Sequence, residues 1–416
     1  MDTRFYNRYK DLLSKLDYTY RGYNIGCLIP GYLTCMFTDD AVTGRDVFKG
    51  FYEGVKFTNL SQVLRTEKST VITYLINRKD YGDLAESVRK TYPDSDVTCL
   101  ETLDKVGYSP FGISYISHLL KAFRIIFSRS VKESFTTKLY LVAILTNLFN
   151  QVKYLDKVLC PPNVKKYICF NSAYKEESLL TLYFKKHKVE TISLQHGVFC
   201  DFKQMVPFDI INMDNLIADK LMCWGQSTID YLKTKGFDES RFILAGNSKY
   251  KDAEIGHVDQ SFSKCLVLLG RSVYIPSNDK LLALLMEFNR KHGNKILFYL
   301  KKHPFVVDSE HKAFASITDN LFFVGREHSV QEVLRSDLVD FTIAVNTTAY
   351  YESLALGKIS LRWSDSENED FYGMDDKFYD LAGLENKINY FKSKPESEIR
   401  REMKEVIKYV FNPELK

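Results

Sequence analysis

At 416 residues and 48.3 kDa the chain is longer than one ordinary domain, and its 45% hydrophobic and 26% charged residues exclude a disordered or low-complexity protein. A formal net charge of +4 excludes nucleic-acid binding through bulk charge. Eight scattered cysteines with no C-x-x-C spacing exclude a four-thiolate zinc site or a dithiol redox motif and point to reduced, mostly buried thiols.

Met1 is followed by Asp2 and Arg4 without the apolar run of a signal peptide, so the expected location is the cytoplasm. In the first half, Tyr23 to Ile29, Val71 to Ile76 and Val97 to Leu100 read as strands. Ile113 to Phe127 and Phe135 to Leu159 have helical apolar spacing with basic residues between, which predicts a basic amphipathic hairpin over about 111–159. Two readings stay open for it: a helical layer on a sheet, or a face that also meets an anionic membrane or a lipid-linked acceptor at the inner side of the plasma membrane. Lysines and arginines interrupt it too often for a membrane-spanning segment.

After Pro161-Pro162 the pattern turns regular, with strand Tyr167 to Phe170, helix Glu176 to Lys186 and strand Val189 to Leu194. A long loop from Gly197 to Asp219 precedes strand Leu221 to Trp224, helix Ser227 to Lys235 and strand Phe242 to Ala245. Gly246 to Ser263 reads as a linker. Strands at Cys265 to Leu269, Ile296 to Leu300, Leu321 to Val324, Leu338 to Val345 and Ile359 to Trp363 then alternate with helices at Asp279 to Arg290, Glu310 to Ile317, about Val330 to Leu334 and Ala349 to Leu356. Such alternation predicts a parallel Rossmann-like sheet. The division expected is 1–245, a Rossmann-like acceptor-binding domain with the helical insertion; 246–263, a linker; 264–395, a Rossmann-like nucleotide-sugar domain; and 396–416, a last helix crossing back to the first domain.

Candidate residues lie at strand ends, where open α/β sheets collect ligands. His196, after Val189 to Leu194, is the candidate base, and Glu176 and Glu177 compete for that role. Lys302 and His303 follow one strand, which Pro304 ends, and Arg271 follows Gly270 after another; the lysine, histidine and arginine offer donors to a phosphate. Asn346-Thr347-Thr348 precedes a helix and suits an anion, Glu352 is expected to be free for sugar or ribose hydroxyls, and Arg326 follows a further strand near a base or ribose. Asp94-Ser95-Asp96 has a D-x-D form but precedes a strand, so no metal is expected to be essential.

The order Gln195-His196-Gly197, His303-Pro304, Thr347-Thr348 with Glu352, and Gly357-Lys358 resembles the GT-B superfamily of bacterial surface-polysaccharide transferases, among them polysialyltransferase-like and Kdo-transferase-like enzymes and teichoic-acid polyol-phosphate polymerases. The likeness spans roughly Lys166 to Trp363. It implies two Rossmann-like domains facing across a cleft, and an inverting, metal-independent glycosyltransferase building a capsule, O-antigen or lipooligosaccharide. It also implies a nucleotide-sugar co-substrate, with CMP or UDP favoured, and a glycan or lipid-linked glycan acceptor. Gln195 and Asn346 depart from the polymerases' pattern, where a tryptophan and an Asp-Tyr pair stand. The alternatives are a polyol-phosphate transferase, a nucleotide-sugar epimerase or hydrolase on the similar scaffold of UDP-GlcNAc 2-epimerases, and a binding module without catalysis.

Overall fold

In a computed structural model, the structure describes residues 4–33, 42–107, 112–129, 131–200, 214–251, 254–303, 306, 320–366, 368 and 370–412. The chain forms two α/β units, each built on one sheet of six strands. The first comprises residues 1–196, 205–222 and 240–243, and the second the remainder.

The first unit opens with α1 (Arg4–Leu16), β1 (Thr19–Tyr20) and β2 (Tyr23–Asn24), an antiparallel pair turned at Arg21 and Gly22, both at positive φ. The strand expected over Tyr23 to Ile29 stops after two residues. There the Asn24 side chain accepts from Cys27 N at 3.2 Å and starts α2 (Ile25–Leu28), followed by α3 (Pro30–Leu33). A Thr43/Asp46 capping box begins α4 (Gly44–Val55), which leads into β3 (Lys56–Thr58). Then come β4 (Thr70–Tyr74), α5 (Lys79–Thr91), β5 (Ser95–Cys99) and β6 (Lys105–Gly107). The expected hairpin is α6 (Ile113–Ser128) with α7 (Phe135–Leu155), whose Leu141 to Val152 are all buried. Gly50 and Gly54 of α4 bring its backbone close to Ala143 and Asn147 of α7. No helix among the described residues is long and apolar enough to cross a membrane.

Next are β7 (Lys166–Cys169), α8 (Lys175–Lys186), β8 (Glu190–Leu194), β9 (Lys220–Cys223) and β10 (Phe242–Leu244). The sheet order is β10-β9-β8-β7-β4-β5, and β4 pairs in parallel with both β5 and β7. After β5 the chain therefore returns to the other side of β4, and the break in strand order lies between β4 and β7. Such breaks open a crevice at the carboxyl ends of their strands.

The second unit holds α9 (Gln226–Thr234), ended by Gly236 at φ 82°, and β11 (Lys264–Leu268), α10 (Ile275–His292), β12 (Leu297–Lys301) and β13 (Leu321–Phe323). A Ser329/Glu332 capping box opens α11 (Val330–Leu334). After it come β14 (Phe341–Ala344), α12 (Ala349–Ala355), β15 (Ile359–Trp363), β16 (Lys377–Phe378), α13 (Leu381–Ser393) and α14 (Glu396–Phe411). The expected helix Glu310 to Ile317, and 201–213 of the expected long loop, lie outside the described residues. Its order, β13-β12-β11-β14-β15-β16, is that of a dinucleotide-binding sheet, with the break between β11 and β14. Within this unit α14 packs on α9 and α12. Gly225 sits so close to α14 that a Cβ there would collide with the Tyr409 carbonyl oxygen.

Candidate functional site

In the second unit, the break in strand order gathers much of the expected anion-binding set. β11 ends at Leu268, opposite Lys301 of β12 and Ala344 of β14, so the segments that follow all leave one edge of the sheet. Gly270 is held by Asn278, whose side chain accepts from its amide at 2.9 Å and donates to its carbonyl at 3.0 Å. A Cβ on Gly270 would stand 3.0 Å from Tyr274 Cβ and 3.1 Å from Val345 O, so the backbone passes tightly here. Arg271 follows, its guanidinium 6.0 Å from the Tyr274 ring centre. Across the break Asn346 adopts a left-handed backbone at φ 42°, which turns the chain from β14 into α12. Thr347 Oγ1 accepts from Ala349 N at 3.3 Å, whereas the Thr348 hydroxyl makes no capping bond.

The two lysines at the end of β12 take different roles. Lys301 is buried and donates from Nζ to Gly325 O at 2.7 Å, tying the end of β12 to that of β13, and burial lowers its pKa. Lys302 is half-buried, with Nζ 4.5 Å from the centre of the Phe323 ring. His303 is half-buried, and its carbonyl accepts from Val306 N at 3.0 Å. Arg326 donates to Val306 O at 2.6 Å, so it braces the segment after His303. Pro304 lies outside the described residues.

Glu352 departs from expectation. Tyr250 OH donates to its Oε2 at 2.9 Å, and Gln331 Nε2 donates to that hydroxyl at 2.7 Å. The carboxylate is thus engaged by a tyrosine distant in sequence instead of being free for sugar hydroxyls. Sequence reasoning also missed a brace beneath α12. The buried Arg362 pairs with the buried Asp376, which accepts from Tyr350 OH two residues after Thr348.

In the first unit, His196 follows β8 as expected. Its ring lies 4.8 Å from Phe170 and 5.9 Å from Tyr174, and Nδ1 is 3.5 Å from Leu194 O. Burial holds its pKa down to about 4, so the imidazole is neutral at ordinary pH. A tautomer with its proton on Nδ1 leaves the Nε2 lone pair to accept one.

Glu177 is not exposed for base duty. It is fully buried at the break between β4 and β7, where Oε1 accepts from Phe170 N at 2.8 Å and Thr73 Oγ1 at 3.0 Å, and Oε2 accepts from Asn171 N at 3.1 Å. Burial pushes its pKa up to about 8 against the opposing effect of these donors. Glu176, half-buried, accepts from Thr58 Oγ1 at 3.4 Å. The D-x-D carboxylates are used locally, Asp94 by Ser69 N at 3.0 Å and Asp96 by the Thr66 hydroxyl.

No family model matches the chain, and no curated protein matches it. Among solved structures it is similar to the UDP-GlcNAc 2-epimerase of Methanocaldococcus jannaschii in complex with UDP-GlcNAc and UDP, at 11% identity and a TM-score of 0.48, covering 79% of this chain and 94% of that one. The UDP-N-acetylglucosamine 2-epimerase of Rickettsia bellii is similar at 12% identity and 0.48, over 83% and 96%. An Anabaena protein, HepE, in complex with UDP and glucose gives 11% and 0.48 over the same shares, 83% and 96%.

Proposed function

We propose that this chain is an enzyme acting on a nucleotide-activated sugar, with the donor's phosphates held at the carboxyl edge of the second sheet. The observation carrying this reading is the adjacency of β12, β11 and β14 around a break in strand order, with Lys302, His303, Arg271 and the Asn346 to Thr348 turn on the segments leaving them. Phosphate oxygens accept charge-assisted hydrogen bonds from such donors. The reaction proposed first is transfer to a hydroxyl of a glycan or lipid-linked glycan. The bond from the anomeric carbon to the phosphate oxygen breaks, the acceptor oxygen bonds to that carbon, and the acceptor proton passes to a general base of the protein.

A second reading on the same donor is an epimerase or hydrolase, which acts without a glycan acceptor.

The test begins with thermal unfolding in CMP-, CDP-, UDP- and GDP-linked sugars. A donor at 100 times its Kd stabilises by about 2.7 kcal/mol, and no shift with any of them sinks the proposal. Product analysis with the bound donor then separates the readings. Isomerised sugar or free nucleotide from donor alone marks the epimerase or hydrolase, and release that requires acceptor marks the transferase.

A further inference from the structure

The helix α6 has two apolar faces, and among the described residues only one is covered by the fold. Tyr115, His118, Ala122 and Ile126 are buried, whereas Ile113, Ile116, Leu120, Phe123 and Phe127 recur at helical spacing on the opposite side and are exposed, Leu120 by 65%. Phe123 and Phe127 stack at 4.2 Å, and Phe127 meets the exposed Phe135 at the start of α7 edge-on at 6.3 Å. The outward stripe is therefore a continuous aliphatic and aromatic ridge, larger than the scattered apolar residues of an ordinary surface.

Its charge is one-sided. Arg124 flanks the stripe on α6, and Lys132 and Lys138 follow it, with Lys138 Nζ 5.7 Å from the Phe127 ring, whereas Lys121 Nζ lies 4.2 Å from the centre of the Tyr20 ring and Arg129 donates to Lys15 O at 2.7 Å. Glu133 is the sole acidic residue from Ile113 to Leu155, and Arg8 pairs with it. The helix α6 is too short and too charged to span a bilayer. An apolar ridge rimmed by cations is the chemistry of a helix lying in the interface of an anionic membrane, its side chains among the acyl chains and its ammonium and guanidinium groups at the phosphates.

We propose that the outward face of α6, with Phe135, is a docking surface for an anionic lipid bilayer. The proposal stands apart from the donor reading, because it uses no residue of either strand-end crevice and is measured without substrate.

The test is sedimentation of the full chain with phosphatidylcholine vesicles and with vesicles carrying 30% phosphatidylglycerol. Binding should require the anionic lipid and weaken with added salt. The pair Arg124→Ser and Lys132→Ser should lower affinity about 30-fold, at about 1 kcal/mol for each basic residue near the surface. The pair Leu120→Ser and Phe123→Ser should abolish sedimentation while leaving the melting temperature unchanged. Equal association with both vesicles, or none with either, overturns the proposal. So does light scattering that finds a dimer abolished by the same serine substitutions, which would give the ridge to a second copy of the chain.

Discussion

At the break between β4 and β7 the first unit inserts its own carboxylate, whereas at the break between β11 and β14 the second brings a constrained glycine, an arginine and a left-handed asparagine. Glu177 occupies two strand-end amides and the Thr73 hydroxyl with its own oxygens. In the second unit the neighbouring strand ends present cations outward instead. Two sheets with the same kind of break thus diverge through side chains, one break filled by a carboxyl group of the protein and the other, on the reading proposed above, open to an anion.

The sharpest way to break this contrast is to remove that carboxyl group. Glu177→Ala leaves two buried amides without their acceptor and should cost about 2–5 kcal/mol, read from urea unfolding. Arg271→Ala should leave stability within about 0.5 kcal/mol but weaken nucleotide binding about 10-fold or more, read by calorimetry with the donor that the thermal screen selects. Comparable destabilisation by both would erase the distinction.

A pH series sharpens it further. Glu177 has a folded pKa raised to about 8, so the folded state holds its proton more firmly than the unfolded chain, and this contribution to stability is lost as pH rises from about 4.5 towards 8. His196, depressed to about 4, acts oppositely, with stability lost as pH falls from about 6.5 to 4. Between pH 6.5 and 8 the Glu177 contribution acts without that opposition. Glu177→Gln should flatten the decline in melting temperature there, and an unchanged slope would remove Glu177 as its source. The smallest effect is expected in the second crevice, where Asn346→Ala should cost about 1 kcal/mol through its left-handed backbone, measured by urea unfolding.

Much of the second sheet was legible because each strand is a short apolar run ended by a glycine, a polar cluster or a cap. The strand ends followed from it, and with them Arg271, Lys302, His303 and Asn346. The misread stretch was Tyr23 to Ile29, where apolar composition suits strand and helix alike and Asn24 decides by capping. Glu177, with Glu176, reads from the sequence as a carboxylate competing for base duty. Its burial depends on β4 lying beside β7, a pairing across the long insertion of α6 and α7 that no local pattern encodes. Glu352 meets Tyr250 102 positions away, which is equally invisible to local reading. For α6 the periodicity revealed apolar residues around the helix but not which of them would face outward.

The tight seat of Gly225 and α9 against α14 also sets an order of events during synthesis. α9 is made before any strand of its own unit's sheet, while α14, the helix that covers it, follows all of them. On the ribosome, α9 waits uncovered until β11 through α14 have emerged, so the second unit cannot close before α14 is made. A nascent chain stalled or cleaved before Glu396 would expose the seam at Gly225 to chaperones and proteases.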